Sequence, residues 1–213
     1  MILRAESIAK RFEDRIVLHA ASLRLEPGEI VLLSGANGSG KTTLARILAT
    51  LLQPDRGEIQ LDGVPVSKRR SAARRAIGFA THVPLLYLGL TPMENLAFFG
   101  ELSGVAAARE RAAALLQRLK MDGFADMPLV HFSRGMLQRV VLSRALLGDP
   151  PILILDEPYA GLDDEGSATL NALLAEARLR GAATILIAHD RDRAAPIVTR
   201  ACLLRDGRIE EAP

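Results

Sequence analysis

The run Gly35-Ala36-Asn37-Gly38-Ser39-Gly40-Lys41-Thr42 has Gly at its first and sixth positions followed directly by Lys and Thr. Small residues at this spacing let successive backbone N–H groups curl around phosphate oxygens, while a following helix points its positive end at them. Lys41 can then reach β and γ phosphates, and the Thr42 hydroxyl can ligate Mg²⁺. Roughly 0.002 such matches arise by chance from this composition, so an ordinary Gly-rich turn is the weaker reading. Residues Gly35, Ala36, Asn37, Gly38, Ser39, Gly40, Lys41, Thr42 and Thr43 therefore read as a nucleoside triphosphate cradle.

A second chemical group closes the aliphatic run Ile152-Leu153-Ile154-Leu155 with Asp156-Glu157. A buried strand ending in two acids delivers carboxylates to the edge of a sheet where phosphates lie. Asp156 is suited to hold Mg²⁺ through water, and Glu157 to polarise an attacking water. Alone, such a pair is more often a helix cap; beside a phosphate loop it reads as catalytic.

Both groups need strands to position them. Ile30 to Leu33, Ile152 to Leu155 and Thr184 to Ile187 are continuous aliphatic runs of the kind buried on both faces of a parallel sheet, and should be neighbours in it. Leu3 to Phe12, Val17 to Leu25 and Glu58 to Leu61 before Asp62-Gly63 look antiparallel, and Cys202 to Arg205, Asp206-Gly207 and Arg208 to Glu210 give a similar hairpin signal. Between them the chain reads as helical. Thr91-Pro92-Met93-Glu94 has the cap, first-turn Pro and third-position Glu of a helix start; Ala106 to Lys120 is rich in Ala, Leu and Arg; Ser133 can cap a helix running to Leu147. The expectation is one α/β domain over 1–213, with a mostly parallel sheet, a flanking antiparallel β layer and a helical subdomain inserted at about 85–148.

Composition narrows the function classes. The 213 residues carry 27 Lys+Arg against 25 Asp+Glu, a net charge of +2, which argues against a protein working mainly by neutralising nucleic-acid phosphates. Lys68-Arg69-Arg70 and Arg74-Arg75 read as a solvated charged face. The single cysteine, Cys202, cannot form an internal disulfide and suits a reducing cytoplasm. Met1 to Glu6 lacks the basic start and apolar run of a secretory signal. The longest stretch without a formal charge, 76–93, nears the length of a membrane span, but Gly78, His82, Pro84, Gly89 and Pro92 punctuate it as strand, loop and helix start. A soluble chain with an apolar loop is expected.

Phe132-Ser133-Arg134-Gly135-Met136 just upstream of Ile152 to Glu157 resembles the signature segment of ABC-type ATPases, which reads Leu-Ser-Gly-Gly-Gln; Ser133 and Gly135 match, while Arg134 and Met136 depart. Other segments are similar to the same family in the same order along nearly the whole chain. Phe12 stands where an aromatic stacks on adenine, Ala160-Gly161-Leu162-Asp163 resembles the D-loop, and His189 resembles the switch histidine. Where the family usually places a Gln that contacts metal and water, after Ile77 to Ala80, this chain has His82; a neutral imidazole donates or accepts once, whereas a carboxamide does both.

The resemblance implies a P-loop NTPase core of the ABC type, binding ATP with Mg²⁺ and hydrolysing it. By the same resemblance, Glu157 and His189 are catalytic, Thr42 and Asp156 hold the metal, and Phe12, Ser133, Gly135 and Asp163 join the phosphate loop in holding nucleotide. It further implies a head-to-tail homodimer sandwiching two ATPs. Separate membrane-spanning subunits would dock near Val83 to Leu90, on the cytoplasmic face of the cell membrane, with Leu86 and Tyr87 exposed for that contact. Within the family, His82 to Tyr87 with Leu90 to Leu96 and the short total length look most like ATP-binding subunits of cytochrome c biogenesis haem exporters. Drug, polysaccharide or lipid exporters use related sequences. An ABC-type ATPase outside transport would bring long coiled coils or zinc cysteines, and a small-molecule kinase would not need the signature segment.

Overall fold

The computed structural model describes residues 1–188 and 190–211. In chain order its elements are β1 (Leu3–Phe12), β2 (Arg15–Leu25), β3 (Ile30–Ser34), α1 (Lys41–Leu48), β4 (Arg56–Leu61), β5 (Val64–Pro65), α2 (Arg70–Ala76) and β6 (Ile77–Ala80). There follow α3 (Pro92–Ser103), α4 (Ala108–Arg118), α5 (Arg134–Leu146), β7 (Ile152–Asp156), α6 (Asp164–Leu179), β8 (Ala183–Ile187), α7 (Arg191–Ala194), β9 (Arg200–Arg205) and β10 (Arg208–Glu211).

The three aliphatic runs lie side by side as β3, β8 and β7 in a sheet of order β10-β9-β3-β8-β7-β6, parallel except for β10. Successive side chains on a strand point to opposite faces. Ile30, Leu32, Leu153, Leu155 and Leu186 accordingly enter the core under the helices, while Val31, Leu33, Ile152, Ile154, Ile185 and Ile187 enter the core shared with the second sheet. That second sheet, β2-β1-β4-β5, is antiparallel. With both faces covered, these strands are aliphatic up to the sheet's C-terminal edge except for Thr184, whose fully buried hydroxyl has no hydrogen-bond partner. Truncating a fully buried side chain such as Leu186 to Ala would cost about 2–5 kcal/mol.

The helices between β6 and β7 start as the sequence indicates. Thr91 accepts from the Glu94 N–H at 3.1 Å, and the Glu94 carboxylate accepts from the Thr91 N–H at 2.9 Å, closing a reciprocal cap. Ser133 caps α5, its hydroxyl accepting from the Met136 N–H at 3.3 Å.

Three features differ from the sequence reading. The terminal hairpin forms, but β9 joins the main sheet parallel to β3 instead of the antiparallel layer. Three helices, α2, α6 and the short α7, add to those expected; the acids Asp164 and Glu165 in the first turn of α6 favour its positive end. Leu86 is half-buried against the core under the helices, whereas Val83, Leu85, Tyr87 and Leu88 are exposed. No helix among the described residues is long and apolar enough to cross a membrane.

Candidate functional site

The C-terminal edge of the main sheet collects the chemistry. In register, Leu33, Ile187 and Asp156 share one level across β3, β8 and β7. The phosphate-loop sequence leaves β3 just beyond that level. On the next pair of strands Ala80 stands beside Leu155, and two residues further along each chain come His82 and Glu157. One edge therefore gathers the loop, both acids and the histidine that replaces the expected Gln.

The loop turns through positive φ at Gly38 (75°) and Gly40 (104°), conformations that glycine adopts without steric cost. Lys41 opens α1 and is nearly buried, its Nζ donating to the carbonyls of Gly35 and Ala36 at 2.9 Å each. Thr42 and Thr43 are half-buried in the first turn of α1. The Ser39 hydroxyl is buried without a hydrogen-bond partner. Buried polar atoms are almost always paired, so this orphan fits an oxygen-rich ligand such as a phosphate.

Asp156 is 1% exposed, and its Oδ2 also lacks a hydrogen-bond partner. A carboxylate buried this deeply is costly unless compensated, and an orphaned oxygen beside a phosphate cradle fits a hydrated divalent cation. Glu157 sits at a left-handed φ of 56°, its N–H donating to Ile187 O at 2.8 Å. Gln138 from α5 donates to the carbonyls of Glu157 (3.3 Å) and Pro158 (3.1 Å), so the turn carrying the acid is held from the helix capped by Ser133.

Ser133 is exposed at the N-terminal end of α5. A Cβ on Gly135 would lie 2.4 Å from Gly161 O, so Gly is required there for α5 to touch the D-loop of its own chain. Asp163 caps α6 by accepting from the Gly166 N–H at 2.9 Å and pairs with Arg139 at 2.7 Å. The Gly166 N–H, then the Arg139 charge, hold its carboxyl below the usual range. Sequence reasoning missed Gln138 and Arg139, whose partners lie about twenty residues away; only their place on the signature helix could have drawn notice.

Phe12 ends β1 beside Arg15, and its exposed ring lies under the Lys10 ammonium, 5.6 Å from the centroid. The cleft of about 570 Å³ beside the phosphate loop is walled by Arg15, Ile16, Val17 and His19 facing Ala36 to Ser39, and by Leu203 to Gly207; Phe12 is outside that wall. His82 is exposed, with its Nδ1 3.4 Å from the Thr81 hydroxyl. His189 lies outside the described residues.

A phosphate loop and strand-end acids on this two-sheet framework define an ATP-binding cassette, and the model of the ABC transporter family matches residues 18–160. The chain belongs to that family: it is the ATP-binding subunit of an ABC transporter and an ATPase. It is 36% identical over 212 residues to a Nod factor export ATP-binding protein I of Burkholderia thailandensis, spanning 98% of this chain and 70% of that one. A protein of the same name from Rhizobium sp. (strain N33) is 35% identical over 94% of this chain and 67% of its own length. Among solved structures, an ATP-binding subunit of an ABC transporter superposes with a TM-score of 0.92 at 28% identity, covering 99% of this chain and 90% of that one. The cassette MJ0796, dimeric in a post-hydrolysis state with ADP and Pi, gives 0.89 at 27% identity over 98% of each chain.

Proposed function

We propose that this chain powers a membrane exporter by binding and hydrolysing ATP between two copies of itself arranged head to tail. The observation that carries the site is the orphaned oxygen of Asp156, buried at the sheet edge where the phosphate loop begins. Residues Gly35 to Thr43 cradle the phosphates, Thr42 and Asp156 hold Mg²⁺, and Phe12 offers its exposed ring to adenine. Held there, Mg²⁺ would supply neutralisation of phosphate charge. Glu157 accepts the proton of the attacking water, and His189, by its resemblance to the switch histidine, is the second catalytic residue. Ser133 and Gly135 of one copy, with Asp163, complete the site of the other.

Residues 85–148 form a helical subdomain in this reading, and Val83 to Leu90 receive the membrane subunits, placing the chain peripherally on the cytoplasmic face of the cell membrane. No nucleic acid partner is expected. For the cargo, resemblance of His82 to Leu96 supports haem export for cytochrome c biogenesis, while the names of the relatives favour Nod factor. Stimulation of the reconstituted transporter's ATPase by haem or by Nod factor decides between them.

The hydrolytic site itself is tested by Glu157→Gln. The amide keeps the shape and loses the base, so ATP binding persists while phosphate release without any acceptor stops. Turnover near the wild-type rate would remove Glu157 from its role.

A further inference from the structure

Arg144, on the last turn of α5, is a partly buried cation with no carboxylate partner among the described residues. Loss of water pushes its pKa down to about 10. Its Nη2 donates to Phe79 O at 3.2 Å, its Nη1 donates to Leu85 O, and its guanidinium lies 5.1 Å from the centroid of the Phe99 ring. Phe79 and Leu85 stand three residues before and three after His82, so one planar fork ties both ends of the span that carries the histidine. Leu85 is held at a φ of 48°, a left-handed conformation that a leucine adopts only under constraint.

The fork reaches these carbonyls because α5 lies directly on β6. A Cβ on Gly78 would be 2.1 Å from Ala145 O. At the other end, the segment leading into α5 grips the same loop: Val130 N–H donates to Leu88 O at 2.9 Å, and Leu129 N–H donates to Leu90 O at 3.0 Å. Ser133 caps this helix eleven residues before Arg144, roughly 16 Å along its axis. An apolar side chain of similar length would pack here without the cost of desolvating a charge, so packing alone does not account for an arginine.

We propose that Arg144 is a positioning residue for ATP hydrolysis, stapling the span Phe79 to Leu85 onto the signature helix so that His82, Ser133 and the apolar loop move as one unit. This rests on the proposed role of Ser133 in the facing copy's site, and it takes His82 to stand at the nucleotide in place of the family's Gln. Lysine keeps the charge but lacks the planar fork that holds two carbonyls together.

The test compares wild type, Arg144→Met, Arg144→Lys and His82→Ala as purified full chains. Arg144→Met is expected to bind ATP within about threefold of wild type by calorimetry while kcat falls about tenfold or more at little-changed KM. Amide hydrogen exchange should rise in 79–90 and stay as in wild type at 35–43 and 152–156. Arg144→Lys should fall between the two, and it carries the same measurements should the methionine variant not fold. An unchanged kcat overturns the inference, as does a parallel loss of affinity, turnover and protection throughout the chain, which marks a general folding role. If His82→Ala retains the wild-type kcat, the reading of His82 fails and the inference with it; if His82→Ala is impaired and Arg144→Met is not, the staple alone is wrong.

Discussion

Lys41 is already in use before any nucleotide is considered: its ammonium satisfies the Gly35 and Ala36 carbonyls from inside the loop. A triphosphate offers the same nitrogen charged acceptors, which make stronger hydrogen bonds than carbonyls, so the exchange favours binding. Lys41→Ala is expected to weaken ATP affinity at least about tenfold by calorimetry, and an unchanged affinity would remove the lysine from the phosphates. Gly135 poses a different problem, because its absent side chain is explained within one chain by the carbonyl of Gly161. Gly135→Ala must push the D-loop away, and overpacking of this kind costs about 1–3 kcal/mol. A melting temperature lowered by about 2–10 °C is therefore expected for the isolated chain, where no partner's phosphate is present. Unaltered melting together with impaired hydrolysis would instead assign this glycine wholly to the facing copy.

At the scale of elements, legibility followed how local each signal was. The Thr91 cap, with Pro92 and Glu94 inside one turn, could be read directly because both hydrogen bonds join residues three apart. Thr91→Ala removes the acceptor for the Glu94 N–H and should cost about 1 kcal/mol in chemical denaturation; no loss would mean that Pro92 and packing alone hold the start of α3. The buried runs of β3, β7 and β8 were equally plain, since their lack of alternation already announces two covered faces. Helix α6 is harder to read because its cap, Asp163, also ends the segment that resembles the D-loop; in the fold its carboxylate accepts from Gly166 N–H and faces Arg139. The placement of β9 could not be read either, because its hairpin turn is local while its pairing with β3 joins residues about 170 apart. Of the site, the phosphate loop and acid pair were legible from type and spacing; Gln138 and Arg144 were not, because their partners are backbone carbonyls that no side-chain pattern advertises.

For the whole molecule, the question is how an event at the sheet edge reaches another protein. The apolar loop after β6 is anchored on its inner side: Asn95, fully buried, donates to Tyr87 O and accepts from Tyr87 N–H, and Leu86 packs against the core. The Tyr87 ring is stacked on Phe99 at 5.9 Å and meets the edge of Phe98 at 5.4 Å, so although exposed it also supports the loop. Asp at Leu86 or Tyr87 would thus disturb packing as well as any contact surface. Leu88 separates the two effects, being 46% exposed and bound to its neighbours through its backbone carbonyl. Burying a leucine against a partner contributes about 1.5–3 kcal/mol, and a carboxylate there must be desolvated instead. Leu88→Asp is accordingly expected to leave melting and ATP affinity as in wild type while recovery with membrane subunits falls by about tenfold or more. Equal recovery of variant and wild type would move the docking surface away from this loop, and a lowered melting temperature would place Leu88 in the packing of the loop itself.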